Sequence, residues 1–422
     1  MIKYKPYYFI LYGIVMFFSI WLLGPYQFRI YNYQALIYFF CAYGLLFLGS
    51  FLFDRPLFFI TSQARNYEVS ITKRAERFLI FMVIVSFSAL VIYMYEVVNL
   101  PIPGGYVFAK DDYRDILSIN RSTINKVAEI MMSIGVAIYL ITARLKKHNY
   151  KATKVLGIVG LFIPAIAILA VGARSRVVTT IGLFVIINAL NKHEGHKTNF
   201  SFSKLSKKNK MIIFGLISAS IYYTLALFAK RGVNDATLQY IKDPSDSILR
   251  PIYYFLFNIS NGMVGPIYKA TWYYTHSLTA FTWSFDSFKT IQIHYGAFLM
   301  YLPGYFLKLI GLPFPDFLEI ALSSPISGLY STFITGYFLD WGVEGSLIMI
   351  FITGAIFGRI SYLSRKKEFS YFILPVILFM CWVSPIYYFL HMGWESVFIW
   401  YIIIYIISKK LGLKNKEIKY NE

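Results

Sequence analysis

The chain is a succession of long apolar runs separated by short polar segments. Crossing about 30 Å of hydrocarbon takes about 20 residues at 1.5 Å each. Runs of that length predict helices over 7–24, 33–53, 78–98, 125–143, 155–171, 173–191, 211–229, 338–360, 369–390 and 394–408. The expected fold is therefore all-α: a polytopic integral membrane protein, one membrane domain over 1–422, with ten spans and both termini on one side. Residues 230–337 interrupt the pattern with a loop of about a hundred residues, too long for a passive connection. Pro251–Tyr274 and Ala297–Leu322 are apolar, and as spans they would raise the count to twelve. Against that, Thr275–Gly296 between them has Lys289 as its only Lys or Arg, and Asn258, Asn261, Gly262, Pro266, Pro303 and Gly304 break the runs. The expectation is short interfacial or re-entrant helices, with Trp272, Trp283 and many Tyr at headgroup depth.

Composition agrees with the pattern. Of 422 residues, 57% are hydrophobic and only 15% charged, where a soluble chain carries about 25%. The net charge of +20 invites a nucleic-acid reading, but its distribution excludes one. The N-terminus and segments 54–77, 144–154, 191–210, 359–368 and 409–422 hold 27 of the 41 Lys and Arg. This is the positive-inside pattern, which predicts both termini in the cytoplasm, the 230–337 loop outside, and attraction to anionic lipid. Cys41 and Cys381 fall inside predicted spans, so neither a disulfide framework nor a cysteine metal site is expected.

The external segments hold the candidate chemistry. Gly172-Ala173-Arg174-Ser175-Arg176 turns between two runs totalling 36 residues from Val155 to Leu190, so both arginines are expected at or below headgroup level. At a helix start they would add to the positive dipole end and free N–H groups, a seat for phosphate; the alternative is snorkelling to the headgroups. Arg114, Arg121, Lys230, Arg231 and Arg250 add cations on the side where the charge rule is sparing with them. They suggest an anionic ligand such as a lipid pyrophosphate, or else lipid anchoring and pairing with Asp111, Asp112, Asp115 or Asp235. His294, in Ile291-Gln-Ile-His294-Tyr295-Gly296, is a candidate general base, with Tyr295 beside it as a substrate contact; His276 is the other histidine of the loop. Asp340 opens the eighth span as a base, an orienting group, or a structural acid at a helix start.

No Asp-x-Asp occurs, so a reaction without metal or other cofactor is expected. His193-Glu194-Gly195-His196 lacks zinc-site spacing and sits in a lysine-rich segment, where it reads as solvated. Walker-type and Gly-x-Ser-x-Gly motifs are absent, and Glu96, Glu129, Glu344 and Glu395 fall near span ends, unlike the midplane groups of ion-coupled transporters.

On these segments the chain resembles the Wzy-type O-antigen and capsule repeat-unit polymerases. Gly172-Ala-Arg174-Ser-Arg176 looks like the family's Gly-Ser-Arg/Lys-Gly turn. Gly336-Tyr-Phe-Leu-Asp340-Trp-Gly342-Val-Glu-Gly345, after a large external loop, looks like its Gly-Glu-x-Tyr-x-Asp/Asn-Phe-Gly-x-x-Gly segment. One departure stands out: Gly336 occupies the place of the family's Glu, which shifts weight to Asp340 or His294. The resemblance implies a metal-independent glycosyltransferase of GT-C-like architecture at the periplasmic face of a bacterial inner membrane. Its substrates would be undecaprenyl-pyrophosphate-linked glycans, and its expected partners membrane lipids, a chain-length regulator and a flippase. Arg174 and Arg176, or Arg231 and Arg250, would hold the pyrophosphate; Arg114, Arg121, Lys230 and Tyr295 would bind substrate; His294 or Asp340 would deprotonate or orient the acceptor hydroxyl. The competing readings are an O-antigen ligase, which shares the donor, and a lipid-linked oligosaccharide flippase or other transporter, which predicts repeat symmetry and deep polar groups.

Overall fold

The computed structural model describes residues 4–24, 30–55, 67–99, 122–145, 151–170, 175–193, 250–259, 265–299, 301–315, 320, 324–325, 332–365, 368–386 and 392–417. It is nearly all-helical. In chain order the elements are α1 (Pro6–Leu23), α2 (Tyr33–Phe53), β1 (Tyr67–Ser70), α3 (Lys73–Asn99), α4 (Thr123–Thr142), α5 (Lys151–Ala170), α6 (Ser175–His193), α7 (Arg250–Ile259), α8 (Gly265–Phe288), α9 (Tyr301–Leu309), α10 (Phe333–Ser364), α11 (Glu368–Val383), α12 (Met392–Leu411) and β2 (Lys414–Glu417). Nine of the ten predicted spans coincide with helices; the tenth, 211–229, lies outside the described residues. Among the described residues six helices, α1 to α5 and α10, are long and apolar enough to cross a bilayer, which makes the chain a membrane protein. The 251–274 and 297–322 stretches carry α7, most of α8's first half and the short α9.

Local sequence sets the helix ends. Pro6 occupies the first position of α1, where its missing N–H is not needed. The Asn32 side chain caps α2, accepting from Gln34 N at 2.8 Å and Ala35 N at 3.2 Å. Ser122 caps α4 by accepting from Asn125 N at 3.0 Å. In α3, Leu79, Val83, Ser86, Leu90, Tyr93 and Val97 are buried at helical spacing, while Phe81, Ile84, Phe87, Val91 and Tyr95 form an exposed apolar stripe. A lipid-facing surface accounts for a helix apolar on both faces.

Lipid supplies no hydrophobic drive between helices, so they associate by close backbone approach. On α10 a Cβ at Gly354 would stand 2.3 Å from Leu46 O, and one at Gly358 would stand 2.3 Å from Ser50 O on α2. Gly135 of α4 and Gly160 of α5 meet in the same way, at 2.2 Å from a built Cβ to the facing carbonyl.

The helices share two ends. At one, Asp54 after α2 accepts from Lys5 at 2.8 Å and from Arg365 at 2.5 Å. Burial disfavours the Lys5 charge, but hydrogen bonds to Asp54 and Tyr7 outweigh it, and its pKa rises above the ordinary lysine value. Tyr4 packs on His193, Asn191 donates to Ala143 O at 2.9 Å, the buried Arg144 lies 3.6 Å over the Tyr371 ring, and Thr153 bonds Glu76. β1 and β2 pair antiparallel from Tyr67↔Glu417 to Ser70↔Lys414. All six of the lysine- and arginine-rich segments contribute to this basic end.

The opposite end carries the helices of the long loop. Along Ser277–Phe288, α8 meets this end: Ser277 donates to Pro385 O at 2.9 Å, Tyr31 N to Thr282 at 3.4 Å, and Asn32 to Asp286 at 2.9 Å. Phe281, Phe285 and Phe288, spaced i, i+4, i+7, all pack on Phe338 at ring distances of 5.6, 6.0 and 5.1 Å. The second half of α8 thus lies over the bundle.

Candidate functional site at the loop-bearing end

α10 has 32 residues, about 48 Å of helix, too much for one crossing. It is two helices joined at Gly342, whose φ of 66° and ψ of −178° break the ladder. Residues 343–364 alone match the hydrocarbon thickness, and 333–341 form a separate segment folded back beside the span, where the Tyr337 and Thr353 hydroxyls meet at 2.6 Å and Phe333 packs on Tyr43 of α2. Only glycine adopts that backbone readily, and a Cβ there would also stand 3.0 Å from Ile293.

That kink receives the loop following α8. Tyr295 (φ 49°) and Gly296 (φ 89°) turn the chain through the left-handed region. His294 N donates to Leu339 O at 2.9 Å. Asp340, wholly buried, accepts from Phe298 N at 2.7 Å and Leu299 N at 2.8 Å through its two oxygens, and also from the Gly296 backbone. A second carboxylate continues the clamp: Glu395, in the first turn of α12, accepts from Leu302 N at the start of α9 at 2.6 Å. Both carboxylates hold backbone. His294, half-buried, and Tyr295, 78% exposed, are the side chains that the clamp presents.

Beside it, a narrow cleft between α3, α4, α5 and α6 is lined by Tyr93, Glu129, Met132, Ser133, Pro164, Ala167, Ile168 and Arg176. Arg176 is the second residue of α6 and Glu129 lies six residues inside α4, about 9 Å along its axis. Ser133 meets Ser396 at 2.8 Å, and Trp400 donates to Ile130 O at 3.0 Å. The first turn of α12 therefore touches the cleft's Ser133 through Ser396 and the start of α9, the helix that follows the His294 loop, through Glu395. Glu96 closes the outer edge of the α3–α4 pair by accepting from Ser122 N at 2.9 Å.

Of the residues expected from sequence, His294, Tyr295 and Asp340 come together in the clamp, and Arg176 lines the cleft. Arg250 opens α7, which reaches the bundle where Tyr253 donates to Leu23 O. His276 is buried within α8. Arg114, Arg121, Arg174, Lys230 and Arg231 lie outside the described residues. Glu129 and Glu395, which the sequence suggested were simply near span ends, turn out to face the cleft and the clamp. Sequence offered little signal for them, since an acid near a helix end is ordinary. No protein-family model matches the chain, and no curated protein or solved structure is significantly similar to it.

Proposed function

We propose that this chain polymerises undecaprenyl-pyrophosphate-linked oligosaccharide repeat units at the periplasmic face of a bacterial inner membrane, as a metal-independent glycosyltransferase with ten spans and a GT-C-like architecture. The observation that carries this reading is Arg176 lining a cleft at the same end of the bundle as the turn that presents His294. The lysine- and arginine-rich segments gather at the opposite end, which by the positive-inside rule is cytoplasmic together with both termini. The 230–337 loop then faces the periplasm, where lipid-linked units arrive.

In the reaction the acceptor hydroxyl oxygen bonds to the anomeric carbon of the donor, and the carbon–oxygen bond to the diphosphate breaks with its electron pair leaving on the diphosphate. Arg176, with Arg174, Arg231 and Arg250, offsets the charge that builds there in a water-poor site. His294 takes the hydroxyl proton. Asp340 acts through the backbone, holding the turn on which His294 and Tyr295 stand, while Tyr295, Arg114, Arg121 and Lys230 bind the glycan. The sequence holds no Asp-x-Asp, in keeping with a metal-free step.

The test is polymerisation of a synthetic lipid-linked repeat unit by the purified protein in vesicles. Arg176→Ala is expected to slow it about 10²–10³-fold, the usual effect of removing one preorganised charge-stabilising group. A wild-type rate in that variant overturns the proposal. Transfer of a single unit to a lipid A core, with no chain growth, would instead assign a ligase.

A further inference from the structure

Asp340 stands near the outer end of the half-helix 333–341, and the other end of that segment is unusual. It begins deep in the protein. Phe333 packs on Tyr43, ten residues and about 15 Å below the start of α2, and Tyr337 meets Thr353, eleven residues beyond Gly342. Against about 30 Å of hydrocarbon, the segment starts near mid-bilayer. The first N–H groups of a helix have no partner inside it, and hydrocarbon supplies none. The backbone is partly met: Phe333 N donates to Ser384 O at 3.2 Å and Thr335 N to Thr332 O at 3.1 Å. The side chains fare differently. Thr332 precedes the first turn but its hydroxyl does not cap it, although threonine is suited to that role. Thr332 is 0% and Thr335 3% exposed, and neither hydroxyl has a hydrogen-bond partner among the described residues. Two unmade hydroxyls in a dry interior are costly.

Residues three apart on a helix place their Cβ atoms about 5–6 Å from each other. That is the span of two hydrogen bonds of about 2.8 Å meeting at one atom. Both threonines stand at the positive end of the half-helix, which favours an electron-rich acceptor. With both residues buried and Phe333 lying against Tyr43, the acceptor is of about water's size. We infer that the Thr332 and Thr335 hydroxyls hold one compact hydrogen-bond acceptor, a water molecule or a halide ion, at mid-bilayer, and that this occupant seats the half-helix carrying Asp340. Asp340 lies eight residues further along, about 12 Å, so the depth of the seated end sets the height at which its carboxylate meets Phe298 N and Leu299 N.

The experiment compares Thr332→Val and Thr335→Val, singly and together, with wild type by melting in detergent and by hydrogen exchange. It reads stability and protection rather than polymerisation, so it stands apart from the polymerase reading. Were the hydroxyls orphaned, each valine would remove a buried polar group and raise the melting temperature. With the seat filled, each single variant should melt below wild type, and the pair should cost less than the sum, because the second valine removes a group whose occupant has already gone. Thr332→Ser keeps the hydroxyl and should melt close to wild type, which separates the bond from packing. Exchange of the Ile334–Tyr337 amides, and of Phe298 and Leu299 at the clamp, should rise about tenfold in the single variants, the worth of one buried hydrogen bond. Melting of the wild type in chloride against gluconate at equal ionic strength names the occupant: a chloride-dependent rise that Thr332→Val loses assigns a halide, and indifference assigns water. A higher melting temperature in either valine variant overturns the site. Wild-type exchange at Phe298 and Leu299 in both overturns its part in seating the clamp.

Discussion

Replacing Asp340 by alanine should release the His294 loop without unfolding the bundle. The carboxylate accepts from Phe298 N at 2.7 Å, from Leu299 N at 2.8 Å and from the Gly296 backbone, and its side chain is wholly buried. Hydrogen bonds to a charged group contribute about 1.5–3 kcal/mol each, and a buried N–H left unmade costs about 1–3 kcal/mol. Losing the two shortest bonds alone therefore removes about 3–6 kcal/mol from the docked state. The nine-residue segment 291–299 is tied elsewhere by His294 N to Leu339 O and by Ile293 and Gly296 against Gly342 and Trp341. The least costly response is for the loop to detach and hydrate, a local opening of the kind that hydrogen exchange reads. At 1.36 kcal/mol per factor of ten, exchange of the Gly296, Phe298 and Leu299 amides should accelerate by about 10²–10⁴. Amides of α2 and of α10 beyond Gly342 should keep their wild-type protection. Hydrogen-exchange mass spectrometry on the purified variant checks this. Wild-type protection across 294–299 in Asp340→Ala would refute the clamp. His294→Asn supplies the contrast: its backbone bond survives, so exchange should stay as in wild type while polymerisation is lost.

The glycine seam gives a stability prediction: Gly354→Ala or Gly358→Ala should destabilise the α2–α10 pair by about 1–3 kcal/mol and lower the melting temperature in detergent, because the new methyl meets backbone at 2.3 Å. Gly44→Ala, with nothing within 4 Å of a built Cβ, should not destabilise. Lys5 predicts a pH dependence. Its folded-state pKa is raised, so its pairing with Asp54 is fully present below the ordinary lysine value and fades as pH climbs through the raised one. The melting difference between wild type and Lys5→Gln should accordingly be constant near neutrality and vanish in strong alkali; a difference that persists there contradicts the pairing. For orientation, with Cys41 replaced by serine, Tyr295→Cys should react with a membrane-impermeant maleimide on intact spheroplasts, and Lys410→Cys should react only after lysis. The reverse pattern would remove the periplasmic site.

Much of the fold was legible because spans are local objects. In hydrocarbon each helix must satisfy its own backbone hydrogen bonds, so an apolar run of sufficient length fixes the element without reference to any partner. Pro6, Asn32 and Ser122 mark helix starts through contacts no more than a few residues away. The site was legible only in part. Arg176 and His294 stood out by residue type and by the side of the membrane the charge pattern gave them. Glu129 did not, since an acid near a helix end is ordinary and nothing in α4 itself reveals that α3, α5 and α6 leave a cleft in front of it.

By itself, then, the sequence determined where the chain is helical, that it resides in a membrane, and which segments gather at a basic end. The rest required the three-dimensional arrangement. Asp340 and Phe298 are 42 residues apart, Glu395 and Leu302 are 93, and Ser133 and Ser396 are 263. Whether a carboxylate holds backbone or faces a cleft depends on which neighbour packs against it. That is settled by steric fit between helices distant in the chain, such as the glycine contacts that let α10 settle on α2 and α5 on α4.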